Sequence, residues 1–154
     1  MQLEYDIRND KTAVITRIPQ PEAVIVLPSF VEGCPVTEIG TDVISLGKKS
    51  IAREIVLPET LIKISERAFT DLRYLKKLYI PAGLKEIADF GIFTCPDLTE
   101  LYIPASVVTF GQCAFGYMYE HARAYKLNYF TLLCEKDSQA EKYAKEQKIV
   151  YRNI

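Results

Sequence analysis

The apolar positions of this chain keep step with one another over a period of 23 residues. An apolar–proline dipeptide marks each period, at Leu27-Pro28, Leu57-Pro58, Ile80-Pro81 and Ile103-Pro104, with the prolines 30, 23 and 23 residues apart. A second apolar marker, Ile39, Ile64, Ile87 and Phe110, advances by 25, 23 and 23. A third is a small or apolar residue ahead of phenylalanine, at Ala68-Phe69, Ile92-Phe93 and Ala114-Phe115. Three markers moving together define an internal repeat. Within a unit, the outer residues of Leu78-Tyr79-Ile80 and Leu101-Tyr102-Ile103 share one face of a strand, because side chains alternate along it. The following proline stops the strand, since it cannot donate to a ladder. A short apolar step follows (Leu84 with Ile87, Val107 with Phe110), and then the Phe segment, which reads as a helical turn. No single unit can bury its own apolar face, so the units must stack. The expected fold class is an α/β repeat solenoid built mostly of short strands.

The repeat resembles the BspA-like leucine-rich repeats, whose pattern is L-x-x-I-x-I-P-x-x-V-x-x-I-x-x-x-A-F. Leu75, Leu78, Ile80, Pro81, Leu84 and Ile87 match it in one coil. Leu98, Leu101, Ile103, Pro104, Val107, Phe110, Ala114 and Phe115 match it in the next. The glycine usual after the isoleucine is present at Gly40 and Gly111 but is replaced by Ser65 and Ala88 in the central coils. The usual cysteine three residues past the phenylalanine is absent; Leu72 takes that place, and Cys95 falls only two past Phe93. The resemblance spans roughly residues 24 to 150 and implies a right-handed leucine-rich-repeat superhelix. It also implies adhesion or host-protein binding as a broad class.

Such a stack needs both ends covered. At the start, Leu3, Tyr5 and Ile7 alternate with polar residues, Asn9-Asp10 signals a turn, and Thr12 to Ile18 is rich in β-branched residues. Residues 1–22 are therefore expected to form a hairpin cap, with the repeats over 23–115. Ala23 to Leu27 is the first ladder strand. Thr41 to Ser50 is a degenerate coil in which Val43-Ile44 replaces Ala-Phe and Gly47-Lys48-Lys49 adds length. Residues 116–126 hold Tyr117, Tyr119, Tyr125 and the lone His121 and break the period, so they are expected to be an insertion loop. Residues 127–154 follow as a last strand, Tyr129 to Cys134, and a C-terminal cap. Asp137 or Ser138 can cap a helix there, with Ser138 and Glu141 spaced as a capping box. Ala140, Tyr143 and Ala144 line its apolar side, and Ile149 to Tyr151 closes the chain.

Composition narrows the function classes. The chain is 154 residues long, 49% hydrophobic and 25% charged, with net charge −1, which argues against a nucleic-acid partner. No segment approaches the ~20 apolar residues of a membrane-spanning helix. The first residues hold no basic segment and no apolar run, so no secretory leader is expected. Location by default is cytoplasmic, whereas the family resemblance implies secretion or surface display. The four cysteines, Cys34, Cys95, Cys113 and Cys134, form no CxxC pair. They are expected as free thiols, Cys95 and Cys113 buried and Cys34 in a loop; a disulfide between neighbouring coils is the alternative.

Candidate chemistry is thin. His121 could serve acid–base work but has no partner at a diagnostic spacing. The carboxylates are scattered, and no glycine-rich phosphate loop or other cofactor motif is present. The sharper feature is the outward side of the strands. If Leu78 and Ile80 point inward, Lys77 and Tyr79 point out; the same register exposes Glu100 with Tyr102 and Glu54 with Val56, with Val24 and Val26 beyond. Val26, Val56, Tyr79 and Tyr102 should then form a stripe, continued by Thr131 or Tyr129. Tyrosine is enriched in recognition surfaces, although Tyr79 and Tyr102 could simply pack across strands. The expected function is a non-catalytic module that binds a protein or peptide partner on Glu54, Val56, Lys77, Tyr79, Glu100, Tyr102 and Tyr129. The alternatives are a structural or self-associating unit and, least favoured, a small hydrolase.

Overall fold

The computed structural model of the protein describes residues 1–44 and 49–154. The chain opens with an antiparallel hairpin, β1 (Glu4–Ile7) and β2 (Ala13–Arg17). Then come β3 (Val24–Val26), β4 (Phe30–Val31) and β5 (Cys34–Ile39), the last two forming a small hairpin of their own. Three coils follow, each of three short strands. They are β6 (Glu54–Val56), β7 (Lys63–Ile64) and β8 (Phe69–Thr70), then β9 (Lys77–Tyr79), β10 (Glu86–Ile87) and β11 (Ile92–Phe93), then β12 (Glu100–Ile103), β13 (Thr109–Phe110) and β14 (Tyr117–Glu120). The chain ends with β15 (Arg123–Lys126), β16 (Thr131–Cys134), the helix α1 (Gln139–Gln147) and β17 (Val150–Asn153). The result is a β-solenoid of about six turns with one C-terminal helix.

Equivalent strands of successive coils pair in parallel and make three ladders. The first ladder runs β3-β6-β9 and resumes as β12-β16-β17; the second runs β2-β5-β7-β10-β13; the third runs β8-β11-β14. Register is kept by the inward residues. Ile25, Ile55, Leu78, Leu101 and Leu132 point into the core from the first ladder, Ile39, Ile64 and Ile87 from the second, and Phe69 and Ile92 from the third. Leu61, Ile64 and Phe69, the apolar positions after Pro58, are fully buried. A one-residue slip would turn each of these into solvent, so burial fixes the register.

The Phe segments depart from expectation. Phe69-Thr70 and Ile92-Phe93 are strands, not helical turns, and Phe115 lies in the bend ahead of β14. The Phe69 N–H donates to the Gly91 carbonyl at 2.9 Å and the Ile92 N–H to the Ala114 carbonyl at 2.9 Å, so the backbone bonds to the next coil and not to its own. The corner that makes this possible is left-handed: Asp42, Arg67, Phe90 and Cys113 occupy it in successive coils with φ of 49°, 53°, 55° and 49°. That conformation carries steric strain in L-residues, and inter-coil bonds such as Phe90 N to Gln112 O at 2.9 Å hold it in place. Cys113 is accordingly half-buried at this corner and not in the core as expected, whereas Cys95 is buried; all four cysteines are free. The insertion at 116–126 is not a loop either: β14 and β15 pair as an antiparallel hairpin. Its two-residue turn, His121-Ala122, has positive φ at both positions, the twist that suits a tight hairpin. The extra length expected in the degenerate coil at Gly47 and Lys48 lies outside the described residues.

The C-terminal cap follows its sequence signals. Ser138 Oγ accepts from the Glu141 N–H at 3.2 Å, and Lys148 ends α1 in the left-handed conformation at φ 57°. Tyr143 stacks on Phe110 with ring centroids 4.9 Å apart, donates to the Gly111 carbonyl at 3.0 Å and accepts from the Ala114 N–H at 3.3 Å. Burial pushes its phenol up to about 12. At the other end Arg8 of the hairpin cap pairs with Glu38 of β5, which also accepts from the Ser65 hydroxyl.

Candidate partner-binding face

The first ladder positions most of the expected partner-binding residues. Val24, Glu54 and Lys77 stand opposite one another, as do Val26, Val56 and Tyr79. Beyond them Glu100 pairs with Thr131, which pairs with Val150, and Tyr102 pairs with Leu133, which pairs with Arg152. Six of the seven residues expected at the site therefore lie on one face. Tyr129 does not join them. Because β12 and β16 pair from Glu100 and Thr131, Leu133 takes the place next to Tyr102, and Tyr129 falls in the turn ahead of β16.

The face has two rows. One carries Glu54, Lys77 and Glu100: Lys77 Nζ lies 3.7 Å from Glu54 Oε1, and Arg152, at the far end of the other row, reaches across so that its Nη2 lies 3.6 Å from Glu100 Oε1. Exposed pairs of this kind add little stability, so these side chains remain available to a partner. The other row is apolar and aromatic. Val26 is 61% exposed and Tyr79 47%, while Tyr102 is half-buried and donates to Glu135 Oε1 at 3.0 Å. Burial and the Glu135 carboxylate both raise the Tyr102 phenol above its ordinary value.

The ladder is split in the middle of this face. No backbone hydrogen bond joins β9 to β12 among the described residues. A crevice of about 380 Å³ lies between them, lined by Lys77, Tyr79, Glu100, Tyr102 and Leu133. Tyr79 and Tyr102 form no aromatic pair among the described residues; the ring contacts lie elsewhere, chiefly around Phe115 and Tyr143. No sequence signal marks this split, because both strands obey the repeat. His121 sits at the tip of the β14–β15 hairpin, its side chain 90% exposed and 3.8 Å from Glu120. Among the described residues, no group of three or more His, Cys, Asp or Glu side chains is placed to hold a metal ion. Among them too, no helix is long and apolar enough to cross a membrane.

Stacked coils of this length, with a strand, a proline and an inward isoleucine in each, define a leucine-rich-repeat solenoid. The chain belongs to the BspA type leucine-rich repeat family, whose six-copy sequence model matches residues 37–131. Its fold is similar to that of a leucine-rich repeat protein from Bacteroides capillosus, 26% identical with a TM-score of 0.64, covering 70% of this chain and 82% of that one. It is similar too to the T. pallidum leucine-rich repeat protein, at 22% identity and a TM-score of 0.62, covering 85% and 68%. A leucine-rich repeat protein from Bacteroides ovatus aligns at 18% identity and a TM-score of 0.54, over 88% of this chain and 41% of that one. None of the curated proteins matches.

Proposed function

We propose that the protein is a non-catalytic interaction module whose protein or peptide partner lies across the first ladder, centred on Tyr79 and Tyr102. The observation that carries this reading is the split. Cross-strand packing would explain two stacked tyrosines, but Tyr79 and Tyr102 border a crevice between strands that are not bonded to each other. Tyr79, 47% exposed and paired with no other ring among the described residues, is an anchor of the type that dominates interface energetics. Family membership supports a protein-interaction or structural role in general. The test is the double variant Tyr79→Ser, Tyr102→Ser, with Lys85→Ser on the second ladder as control. Partner capture should fall in the double variant alone, with both variants melting as the parent does. Unchanged capture, or capture lost together with stability, would return the tyrosines to a packing role.

A second reading is self-association, favoured by the open parallel edges of β3 and β17. They expose Val24 and Val150 at matching ladder positions, with Val26 beside Val24, and uncovered edges of this kind invite pairing. Light scattering over a concentration series decides it: a constant monomer mass removes this reading.

A further inference from the structure

A second concavity lies away from the first ladder. It is a cleft of about 580 Å³ on the third, bordered by Asp42, Arg67, Asp71, Arg73, Phe93 and Tyr119. This volume falls in the range of small-ligand sites. Phe93 of β11 supplies an aromatic floor, its ring fixed by an edge contact with Phe90 at 5.0 Å. Tyr119 of the inserted β14–β15 hairpin supplies a wall; the residue is 54% exposed, and its backbone N–H donates to Thr94 Oγ1 at 3.0 Å. The insertion thus adds a side to a groove that the regular repeat would leave open.

We propose that this cleft binds a neutral saccharide. The charges on its lining cancel, two guanidiniums against two carboxylates. An anion would meet Asp42 and Asp71, and a cation would meet Arg67 and Arg73. A hydroxyl both donates and accepts, so neighbouring sugar hydroxyls can use a lining in which planar donors and acceptors alternate. The polar groups are held in place. Thr70 donates to Asp42 Oδ1 at 3.1 Å, Arg73 Nη2 donates to Asp71 Oδ1 at 3.1 Å, and the Arg67 guanidinium lies 5.7 Å over the Phe90 ring. Arg73 is also under-bonded, its buried Nε–H lacking an acceptor among the described residues. The C–H face of a pyranose ring is apolar, and the Phe93 floor with the Tyr119 wall gives it aromatic surface to cover.

The site is separate from the first ladder, and the experiment keeps the two apart. Saturation-transfer NMR on the full chain would use maltose, cellobiose, lactose and N,N′-diacetylchitobiose as probes, with glucuronate and glucosamine as charged counterparts. The expected result is saturation transfer to at least one neutral disaccharide, with a millimolar or tighter Kd. Tyr119→Ala and Arg73→Gln should each weaken it by roughly tenfold or more, the loss of one well-made contact. The Tyr79→Ser, Tyr102→Ser variant should bind the sugar as the parent does. Absence of transfer to all four disaccharides from folded protein overturns the proposal. So does a preference for either charged sugar, or undiminished binding by Tyr119→Ala.

Discussion

A methyl group added at residue 111 has no room. A Cβ built on Gly111 would overlap the Asp89 backbone N and Asp89 Oδ1 and lie 2.6 Å from the Ala88 carbonyl carbon. The crowding has a local cause: the Asp89 carboxylate folds over this corner to accept from the Gln112 N–H at 2.7 Å. The backbone atom cannot rotate away, so Gly111→Ala must push the two coils apart by about 1 Å to restore ordinary contact. The bond from the Gly111 N–H to the Ile87 carbonyl is 2.8 Å long, and such a shift takes it out of range. Overpacking costs about 1–3 kcal/mol and the lost hydrogen bond about 0.5–1.5 kcal/mol. Alanine stiffens the unfolded chain and returns about 0.4–1 kcal/mol. The middle of these ranges gives a net loss of about 2 kcal/mol. Gly83 is the control, because a Cβ there meets nothing nearer than 3.8 Å; Gly83→Ala should leave stability unchanged or raise it by up to about 1 kcal/mol. The assay is urea unfolding followed by circular dichroism, with tyrosine fluorescence as second probe since the chain has no tryptophan. If both variants unfold at the parent midpoint, the close approach at this corner is wrong.

Two further outcomes bear on the ends of the solenoid. Lys148 is exposed and left-handed at φ 57°, so Lys148→Gly should raise stability by about 0.5–1 kcal/mol; a lower urea midpoint would contradict the cap geometry. Burial pushes the Glu38 carboxyl up, but the Ser65 hydroxyl and Arg8 outweigh it and hold it below its ordinary value. A carboxyl depressed in the folded state stabilises above its unfolded pKa, and that contribution fades as pH falls through the lower, folded value. Stability should therefore drop below about pH 4.5, and Glu38→Gln should flatten the drop; parallel pH profiles for parent and variant would remove the linkage.

The core was legible in the sequence because it is periodic. Leu61, Ile64 and Phe69 could be assigned inward from spacing alone, and so could the hairpin cap and the Ser138 helix cap, whose signals are local. Three features were not legible, for physical reasons. The segments at Phe69 and Phe93 carry only two strand residues each, too few for a period-two pattern, so their strand character comes from bonds to the neighbouring coil. The left-handed corners at Arg67, Phe90 and Cys113 hold residues that give no sign of positive φ; glycine or asparagine would have. Tyr129 was placed near the stripe because the register of β16 depends on the length of the hairpin before it, which sequence spacing does not reveal.

Both departures from regularity fall in the same coil. The unit from β12 to β14 is bonded to its predecessor through the second and third ladders but not the first, and on the third it carries the added hairpin. In a solenoid each unit is stabilised by its neighbours alone, so this joint rests on two hydrogen-bonded rows where the coil before it has three. The aromatic cluster of Phe110, Phe115, Phe130 and Tyr143 lies just beyond, its ring centroids 4.9 to 5.9 Å apart. These packed rings and the helix cap brace the coil from its far side. On the proposed reading, a partner spanning Lys77 and Tyr79 on one bank and Glu100 and Tyr102 on the other would supply the missing row of contacts. Its binding energy would then also hold the two halves of the ladder together, because a ligand that binds only the joined state stabilises that state. A continuous ladder would offer a partner the same side chains but no joint to close, so on the proposed reading the split, more than the tyrosines themselves, would locate the interaction.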